Sequence, residues 1–251
     1  MRKPFIAWMI VSLSALLMVT CGSEEEQATF EALSQAQIDS IRQVVQEDER
    51  EPLEPNEIAV METNYGTIHI RFFPEVAPIH AANFKHLANH GYYDGTWFHR
   101  VIEGFMIQGG DILSRDDNPS NDGTGGPGYT IPAEFSELPH YRGRLSMARS
   151  QDPNSAGSQF FIVQNPNVDQ NMLGNVEIRK NFTYADSVEQ KYLEVGGYPP
   201  LDRDYTVFGE VIQGMDVVDQ IAALPTNDRD RPQEKAIMVK VRVTDRSEVN
   251  L

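Results

Sequence analysis

The sequence predicts a mainly β fold, a closed or nearly closed barrel with helices at its ends. Many short segments alternate apolar and polar side chains, which is typical of strands with one buried face. Apart from residues 168–199, the same part of the chain places apolar residues at helical spacing in only two segments. The 251 residues, 40% of them hydrophobic and 23% charged, suffice for one good-sized core. Short strands with few helices favour a barrel over a layered α/β fold.

The N-terminus is expected to be a signal peptide, residues 1–20. Arg2 and Lys3 precede an uncharged apolar run at 5–19, which is too short for a comfortable membrane span. The segment resembles a bacterial lipoprotein signal, which implies that Cys21 becomes the lipidated first residue. Met18 and Thr20 depart from that pattern, and the alternative is an ordinary cleaved signal with a leftover cysteine. Cys21 is the only cysteine, so no intramolecular disulfide can form.

Residues 21–56 are expected to be an acidic linker that includes one helix. Eleven acids and two bases lie within 22–57, and removal of residues 1–20 takes the net charge of the chain from −16 to −18. Such a charge disfavours nucleic-acid phosphates as partners. It also disfavours an anionic bilayer, so any membrane attachment would depend on the lipid alone. The expected location is the cell envelope, on the periplasmic face or the cell surface.

The helix of the linker is predicted at 34–50. Ser34 and Gln37 fit a capping box, and Ile38, Ile41 and Val45 follow at helical spacing. Pro52 lies just after its end. One apolar stripe needs a partner surface, which is either the main domain or a second copy, so the oligomeric state stays open.

The main domain is expected at 57–247. Strands are predicted at 57–63, 67–73, 98–102, 105–108, 143–147, 159–163, 205–211 and 236–244. Pro78 opens one helix and Gly91 ends it, and a second helix is predicted at 215–222. Glu103 and Gly104 form the turn of a hairpin. Residues 168–199 break this rhythm and are interpreted as an insertion with one short helix at 185–195.

Six motifs occur in the order found in cyclophilins. They are Phe-His-Arg-Val-Ile at 98–102, Phe-Met-Ile-Gln-Gly-Gly-Asp at 105–111, Gly-Thr-Gly-Gly at 123–126, Leu-Ser-Met-Ala-Arg at 145–149, Gly-Ser-Gln-Phe-Phe-Ile at 157–162 and Val-Phe-Gly at 207–209. The chain therefore resembles the cyclophilins over about residues 57–245, apart from the insertion. The resemblance implies a peptidyl-prolyl cis–trans isomerase on an eight-stranded antiparallel barrel capped by two helices.

The resemblance also implies the site. Arg100 would be the catalytic residue, and proline-containing polypeptides would be the partners. The substrate groove would consist of Phe105, Met106, Gln108, Ala148, Arg149, Gln159, Phe161, Leu201 and Tyr205. Within it, four apolar residues would hold the proline ring: Phe105, Met106, Phe161 and Leu201. Gln108 and Gln159 would hold the peptide backbone.

Three positions depart from the family's pattern. Arg149 stands where many relatives carry asparagine, although its backbone could still bind substrate. Tyr205 stands where eukaryotic relatives have histidine, and Pro200 replaces the indole that many relatives place before Leu201. Catalysis remains expected, whereas these departures leave cyclosporin sensitivity open. The insertion ends at the same rim and could reshape or cover the pocket.

The residue types suit a reaction that breaks no bond. The X–Pro amide rotates slowly because of conjugation, with a barrier of about 18–20 kcal/mol. A guanidinium can donate to the amide nitrogen only after the nitrogen becomes pyramidal, so this bond stabilises the twisted state selectively. No cofactor, metal or proton transfer is required. The expected role is to assist the folding of exported proteins.

Other functions are less well supported. A non-catalytic peptide-binding module on the same scaffold is the main alternative, favoured mildly by the altered rim and the insertion. His86 and His90 have zinc-ligand spacing but lack the metalloprotease glutamate, so no metal site is expected. No Gly-x-Ser-x-Gly elbow supports a hydrolase.

Overall fold

Eight strands form one curled antiparallel sheet in the computed structural model, which describes residues 32–116 and 118–249. The strands are β1 Glu57–Thr63, β2 Gly66–Phe72, β3 Arg100–Ile102, β4 Met106–Gly109, β5 Arg144–Met147, β6 Phe160–Val163, β7 Val207–Gln213 and β8 Met238–Asp245. Their order across the sheet is β3-β4-β6-β5-β7-β2-β1-β8. Each corresponds to a predicted strand, with ends moved by up to two residues. The signal peptide and Cys21 lie outside the described residues.

The two edge strands of this sheet approach one another. A single bridge joins Trp97, before β3, to Ile237, before β8. The Gly95 N–H donates to the Met238 carbonyl at 2.7 Å, and the Phe98 N–H donates to the Ala236 carbonyl at 2.9 Å. The sheet is therefore curled into a nearly closed barrel, and the predicted fold class is confirmed.

Five α-helices are present in the described part of the chain. They are α1 Gln35–Glu47, α2 Pro78–Asn89, α3 Gln170–Lys180, α4 Asp186–Val195 and α5 Met215–Ala222. Pro78 occupies the first turn of α2, as expected from its fixed φ. α2 and α5 bury their apolar faces in the same hydrophobic cluster as the strands, so they are the two predicted capping helices.

The insertion contains two helices, so the prediction of a single helix there was incomplete. α3 begins at the N-cap Asp169, whose carboxylate accepts from the Met172 N–H at 2.8 Å. It ends at Asn181, which adopts left-handed backbone dihedrals. The helix is mostly polar and carries Gly174, so its sequence lacks a clear apolar stripe. Only Leu173 and Val176 of α3 are fully buried.

Aromatic side chains from three elements form the centre of the main core. Phe84 of α2 lies 4.9 Å from Tyr93 and 5.4 Å from Phe160 of β6, between ring centroids. Phe84 also lies 6.0 Å from Phe208 of β7. Tilted and edge-on ring pairs of this kind add to the free energy gained by burial alone. The core thus fixes α2 against the inner face of the barrel.

α1 packs on the main domain, which was one of the two alternatives left open by the sequence. The capping box is present: the Ser34 N–H donates to Gln37 Oε1 at 2.9 Å. Ile38 and Val45 are each 1% exposed and belong to the main core cluster. His86 Nε2 lies 2.9 Å from the Val45 carbonyl, so this histidine serves a structural contact with α1. None of the helices within the described residues is long and apolar enough to cross a bilayer.

Candidate active site

Pairing of three neighbouring strands places the predicted catalytic residue in a row with two groove residues. Arg100 of β3 lies opposite Gln108 of β4, and Gln108 lies opposite Phe161 of β6. Directly paired residues project from the same face of a sheet. Alternate residues on the other face, such as Val101 and Ile107, enter the main core. The site therefore occupies the outer face of the barrel.

An apolar patch lies beside this row on the same outer face. Its buried members are Met106, Phe161, Val163 and Leu201, and its partly exposed members are Ile102, Phe105, Ala148, Tyr198 and Tyr205. All four residues predicted to hold a proline ring belong to this one cluster. Met106 and Phe161 are only 2% and 4% exposed, so the patch presents mainly its partly exposed members to a ligand.

Tyr198 belongs to this patch, although it was not predicted from the sequence. Its ring lies 4.3 Å from that of Phe105, between centroids, at the end of the insertion. Tyr205 also belongs to the patch, with its ring edge-on to Phe161 at 5.7 Å. Two tyrosines thus contribute partly exposed rings to the patch. The only sequence signal for Tyr198 as a patch residue is its position three residues before Leu201 in the chain.

The two predicted glutamines contact each other. Gln108 Nε2 donates to Gln159 Oε1 at 3.1 Å. Gln159 Nε2 in turn donates to the carbonyls of Gly123 and Gly125, at 3.0 and 2.9 Å. The side chain of Gln159 therefore fixes the glycine loop, defined here as residues 123–130. Among the described residues, Oε1 of Gln108 has no hydrogen-bond donor.

A cavity of about 330 Å³ opens between the glutamines and the glycine loop. Gln108, Ala148, Arg149 and Gln159 are among its lining residues. Arg149 Nε and Nη2 donate to the Asp204 carbonyl at 3.0 and 2.8 Å, and its guanidinium lies 4.5 Å from the Tyr205 ring centroid. The structure therefore brings together all the predicted groove residues, in a polar cavity and an adjoining apolar patch.

The side chain of Arg100 is ion-paired to Asp230, an acid that was not predicted from the sequence. Its Nε donates to Asp230 Oδ2 at 3.2 Å, and both side chains are 42% exposed. The neighbouring Val101 N–H donates to the Asp230 carbonyl at 2.8 Å. Asp230 adopts a left-handed backbone, with φ of 61°. No local signal links residues 130 positions apart, so this pairing could not be inferred from the sequence.

Two ionisable groups of this region, Asp122 and His99, have pKa values that are shifted by burial. Asp122, immediately before the glycine loop, pairs with Arg231 at 2.9 Å. Burial raises the pKa of Asp122 to about 6. Burial also lowers the pKa of His99, beside Arg100. Among the described residues, no three His, Cys, Asp or Glu side chains are grouped in a way that could hold a metal ion.

Comparison with protein families gives one matching model. Residues 58–243 match the model described as cyclophilin type peptidyl-prolyl cis-trans isomerase. The match spans the eight strands of the barrel and includes residues 168–199.

Curated bacterial proteins are similar over the same part of the chain. A Staphylococcus epidermidis protein, whose name proposes a peptidyl-prolyl cis-trans isomerase, is 39% identical over 196 residues, covering 76% of this chain and 94% of its own length. A Staphylococcus aureus protein with the same name is 40% identical over 188 residues, covering 73% and 90%. A Streptococcus pyogenes protein, whose name proposes a bifunctional phosphatase and isomerase, is 41% identical over 191 residues. That alignment covers 74% of this chain but only 38% of the longer streptococcal protein.

A solved structure shows the same architecture. It is a cyclophilin type peptidyl-prolyl cis-trans isomerase of Cryptosporidium parvum, crystallised in the presence of the dipeptide Ala-Pro. The sequence identity is 29% and the TM-score is 0.56, over 75% of this chain and 99% of that chain. A second structure of the same Cryptosporidium parvum protein has a sequence identity of 28% and a TM-score of 0.57.

Proposed function

The chain belongs to the cyclophilin-type family and is a peptidyl-prolyl cis–trans isomerase; from this premise we propose that Arg100 catalyses the isomerisation. The observation that carries this assignment is the row of Arg100, Gln108 and Phe161 on the outer face of three paired strands. It places a guanidinium, an amide and an aromatic wall on one surface, beside an apolar patch. A proline ring would rest on that patch while the preceding carbonyl faces Arg100.

The hydrogen bonds of Arg100 support this role. Its Nε is bound by Asp230, and among the described residues none of its hydrogen bonds uses the two terminal nitrogens. These nitrogens can donate to the substrate. As the X–Pro bond twists, its nitrogen regains a lone pair that can accept a hydrogen bond, which it cannot do while planar. An interaction present only in the twisted state lowers the barrier rather than merely strengthening binding.

The surroundings of the site strengthen that interaction. Leu201, Phe161 and Met106 are buried in the adjoining apolar patch. A proline ring resting there would exclude water from one side of the guanidinium, where a charge interacts more strongly than in bulk solvent. The guanidinium stays charged at any working pH, so the reaction needs no proton transfer. Gln108 is suited to bind the peptide backbone through its side-chain Oε1, which accepts no hydrogen bond from the described residues.

Replacement of Arg100 by alanine tests the assignment. We expect kcat/KM for a short X–Pro peptide to fall roughly 10²–10³-fold, the usual cost of one such donor. Because the Arg100–Asp230 pair is half-exposed, the melting temperature should change little. The measurement is a protease-coupled isomerisation assay on residues 22–251.

Arg71→Ala is the matched control for this experiment. Arg71 is also a strand arginine, ion-paired to Glu210 on the neighbouring strand, but it lies outside the groove. This variant should isomerise as fast as the wild type. Wild-type turnover in Arg100→Ala would show that the mechanism is assigned to the wrong residue. A folded wild type without turnover would instead support the peptide-binding alternative.

We also propose that the enzyme acts on exported proteins from a lipid anchor at Cys21. The support is the charged and apolar pattern of residues 1–20, followed by the acidic segment 22–57, which would space the domain from the membrane. Cell fractionation of Cys21→Ala tests this location. The variant should move from the membrane fraction to the soluble fraction, and retention in the membrane would contradict the proposal.

A further inference from the structure

The insertion builds a small hydrophobic cluster that joins the main domain through tyrosine hydroxyls. Its buried residues are Tyr141, Leu173, Val176, Tyr184 and Tyr192. Tyr184 and Tyr192 belong to the insertion, and their rings lie 5.8 Å apart, between centroids. Both hydroxyls reach beyond the cluster to the same acceptor, the carboxylate of Asp202.

Asp202 is a buried carboxylate with four donors. Oδ2 accepts from Tyr184 at 2.6 Å and from Tyr192 at 2.7 Å. Oδ1 accepts from the backbone N–H of His140 and lies 2.8 Å from its Nδ1. The residue is only 3% exposed, and a buried charge is strongly destabilising unless it is hydrogen-bonded. The two insertion tyrosines supply half of the donors that keep it in place.

The same tyrosines remain donors throughout the working pH range. Burial and the neighbouring carboxylate of Asp202 raise the pKa of both Tyr184 and Tyr192. Lys180 of α3 adds a further contact, because its Nζ donates to the Asp202 carbonyl and pairs with Asp204 at 2.7 Å. The insertion thus donates hydrogen bonds to both the side chain and the backbone carbonyl of Asp202.

Asp202 connects these contacts of the insertion to two residues that form walls of the apolar patch. Leu201, one wall, is its immediate neighbour in the chain. His140, bound by Asp202, lies parallel to the ring of Phe161, the second wall, at 6.3 Å between centroids and 15° between planes. His140 Nε2 also lies 3.1 Å from the hydroxyl of Ser146, which is paired with Phe161 across the sheet.

We propose that Asp202 is a positioning residue of the proline pocket, held in place by Tyr184 and Tyr192 of the insertion. In this role the insertion sets the affinity for the substrate by fixing Leu201 and Phe161. The inference rests on the proposed function, since it takes the apolar patch as the pocket for the proline ring. Arg100 is outside this network, so the network governs binding rather than the twisting step.

The double variant Tyr184→Phe/Tyr192→Phe tests the inference with the rings retained. It removes two hydrogen bonds to a buried charge, and we expect KM to rise about tenfold while kcat stays within about twofold of the wild type. Each single variant should have a smaller effect on KM. The dissociation constant of the same X–Pro peptide, measured by calorimetry with full-length mature protein, should rise in parallel.

Tyr141→Phe is the matched control. Tyr141 packs in the same cluster, but its hydroxyl lies 3.5 Å from the Val188 carbonyl and does not contact Asp202. Its removal should leave KM and the dissociation constant unchanged. If the double variant fails to fold, Tyr184→Phe carries the test, because it leaves one hydroxyl on Asp202.

The outcomes separate this inference from the proposed function. A lower melting temperature with unchanged KM would reduce the network to a structural role and overturn the inference. A fall in kcat at constant KM would overturn it as well. If the wild type binds the peptide without turning it over, the proposed catalysis is wrong, while the dissociation constants still decide the inference. If the wild type neither binds nor isomerises the peptide, both are overturned.

Discussion

Arg100 illustrates how one residue depends on a distant part of the chain. Asp230 binds its Nε at 3.2 Å and receives the Val101 N–H through its own carbonyl. A single loop residue therefore binds both the side chain of Arg100 and the backbone of β3, the strand that begins at Arg100. Its left-handed φ of 61° is tolerated because aspartate and asparagine adopt this region more readily than other residues with a side chain. Asp230 thus orients the guanidinium, and it does so at some cost in backbone energy.

We predict that Asp230→Asn lowers kcat/KM about tenfold while preserving the fold. Asparagine keeps the backbone conformation and the size of the side chain but removes the charge-assisted bond to Arg100. A bond of this kind contributes roughly 1.5–3 kcal/mol, part of which the asparagine oxygen retains. The isomerisation assay and a thermal melt measure the two effects separately.

Asp228→Asn provides the comparison for that prediction. Asp228 is an exposed residue of the same loop, so the substitution removes the same charge without touching Arg100. It should leave kcat/KM unchanged. Equal losses in the two variants would mean that the charge of the loop, and not the contact with Arg100, affects the rate.

Among the elements, α1 has the least obvious role, because it precedes the catalytic domain. It nevertheless contacts the glycine loop that lines the cavity. Arg42 Nε donates to the Gly126 carbonyl at 2.9 Å, and Gln46 Nε2 donates to the Pro127 carbonyl at 3.2 Å. Since Gln159 binds the same loop from the groove side, the loop is held between α1 and the site. α1 therefore supports the groove as well as burying Ile38 and Val45.

We predict that Gly128→Ala destabilises the protein by about 1–2 kcal/mol. Gly128 has φ of 89°, and an added Cβ would lie 2.5 Å from Gln46 Nε2. The side chain of Gln46 must then move away, which breaks its bond to Pro127, and the left-handed backbone adds a strain of about 1–2 kcal/mol. Urea unfolding at constant pH gives the change in free energy.

Gly126→Ala serves as the reference in the same loop. A Cβ at Gly126 would meet nothing within 4 Å. This variant should unfold at the same urea concentration as the wild type, or slightly higher because alanine restricts the unfolded chain. If both variants were equally destabilised, the cause would be loss of glycine in general rather than the contact between the loop and α1.

At the scale of the whole molecule, buried histidines couple stability to pH. Burial lowers the pKa of five of the six histidines: His69, His80, His86, His99 and His140. His80 is the clearest case, because its Nδ1 contacts Glu134 at 2.6 Å while its buried Nε2 has no hydrogen-bond partner among the described residues. A proton on Nε2 would have nowhere to donate. The folded protein therefore favours neutral His80.

We predict that the free energy of unfolding falls as the pH drops below about 6.5, the ordinary histidine pKa in an unfolded chain. Below that pH the unfolded state binds protons that the folded state does not, and each such histidine contributes a slope of up to about 1.4 kcal/mol per pH unit. Asp122, with its pKa raised to about 6, has the opposite sign, because the folded state binds its proton first as the pH falls. Burial also raises the pKa of the Asp94 carboxyl, which acts in the same direction as Asp122. The five histidines should outweigh these two carboxyls. Urea unfolding at pH 7.5, 6.5 and 5.5 measures the slope.

His80→Asn isolates one contribution to that slope. The asparagine amide can still donate to Glu134, as Nδ1 of the histidine does, but it does not titrate. The variant should lose less stability than the wild type between pH 6.5 and 5.5, even if it is less stable at pH 7.5. An identical slope would exclude His80 as one of the groups responsible.

The order of the strands along the chain, the capping helices and most of the groove could be predicted because their signals are local. Alternation at period two marks each strand, Pro78 and Ser34 mark helix starts, and the motifs around Arg100, Gln108 and Phe161 each lie within a few residues. α3 was not predicted, because a polar helix with a central glycine lacks the apolar spacing that marks a helix. Its position depends on Leu173 and Val176 finding partners elsewhere in the fold.

By itself, then, the sequence determined the family and the fold class, and it supplied the candidate groove residues that the structure places on one face of the barrel. Only the tertiary structure decided that α1 packs on the glycine loop, that Asp230 binds Arg100, and that tyrosines of the insertion bind Asp202 beside the apolar patch. The physical reason is the range of the interactions. Periodicity and capping act between near neighbours in the chain, whereas a buried or ion-paired carboxylate is satisfied by whichever donors the completed fold brings to it.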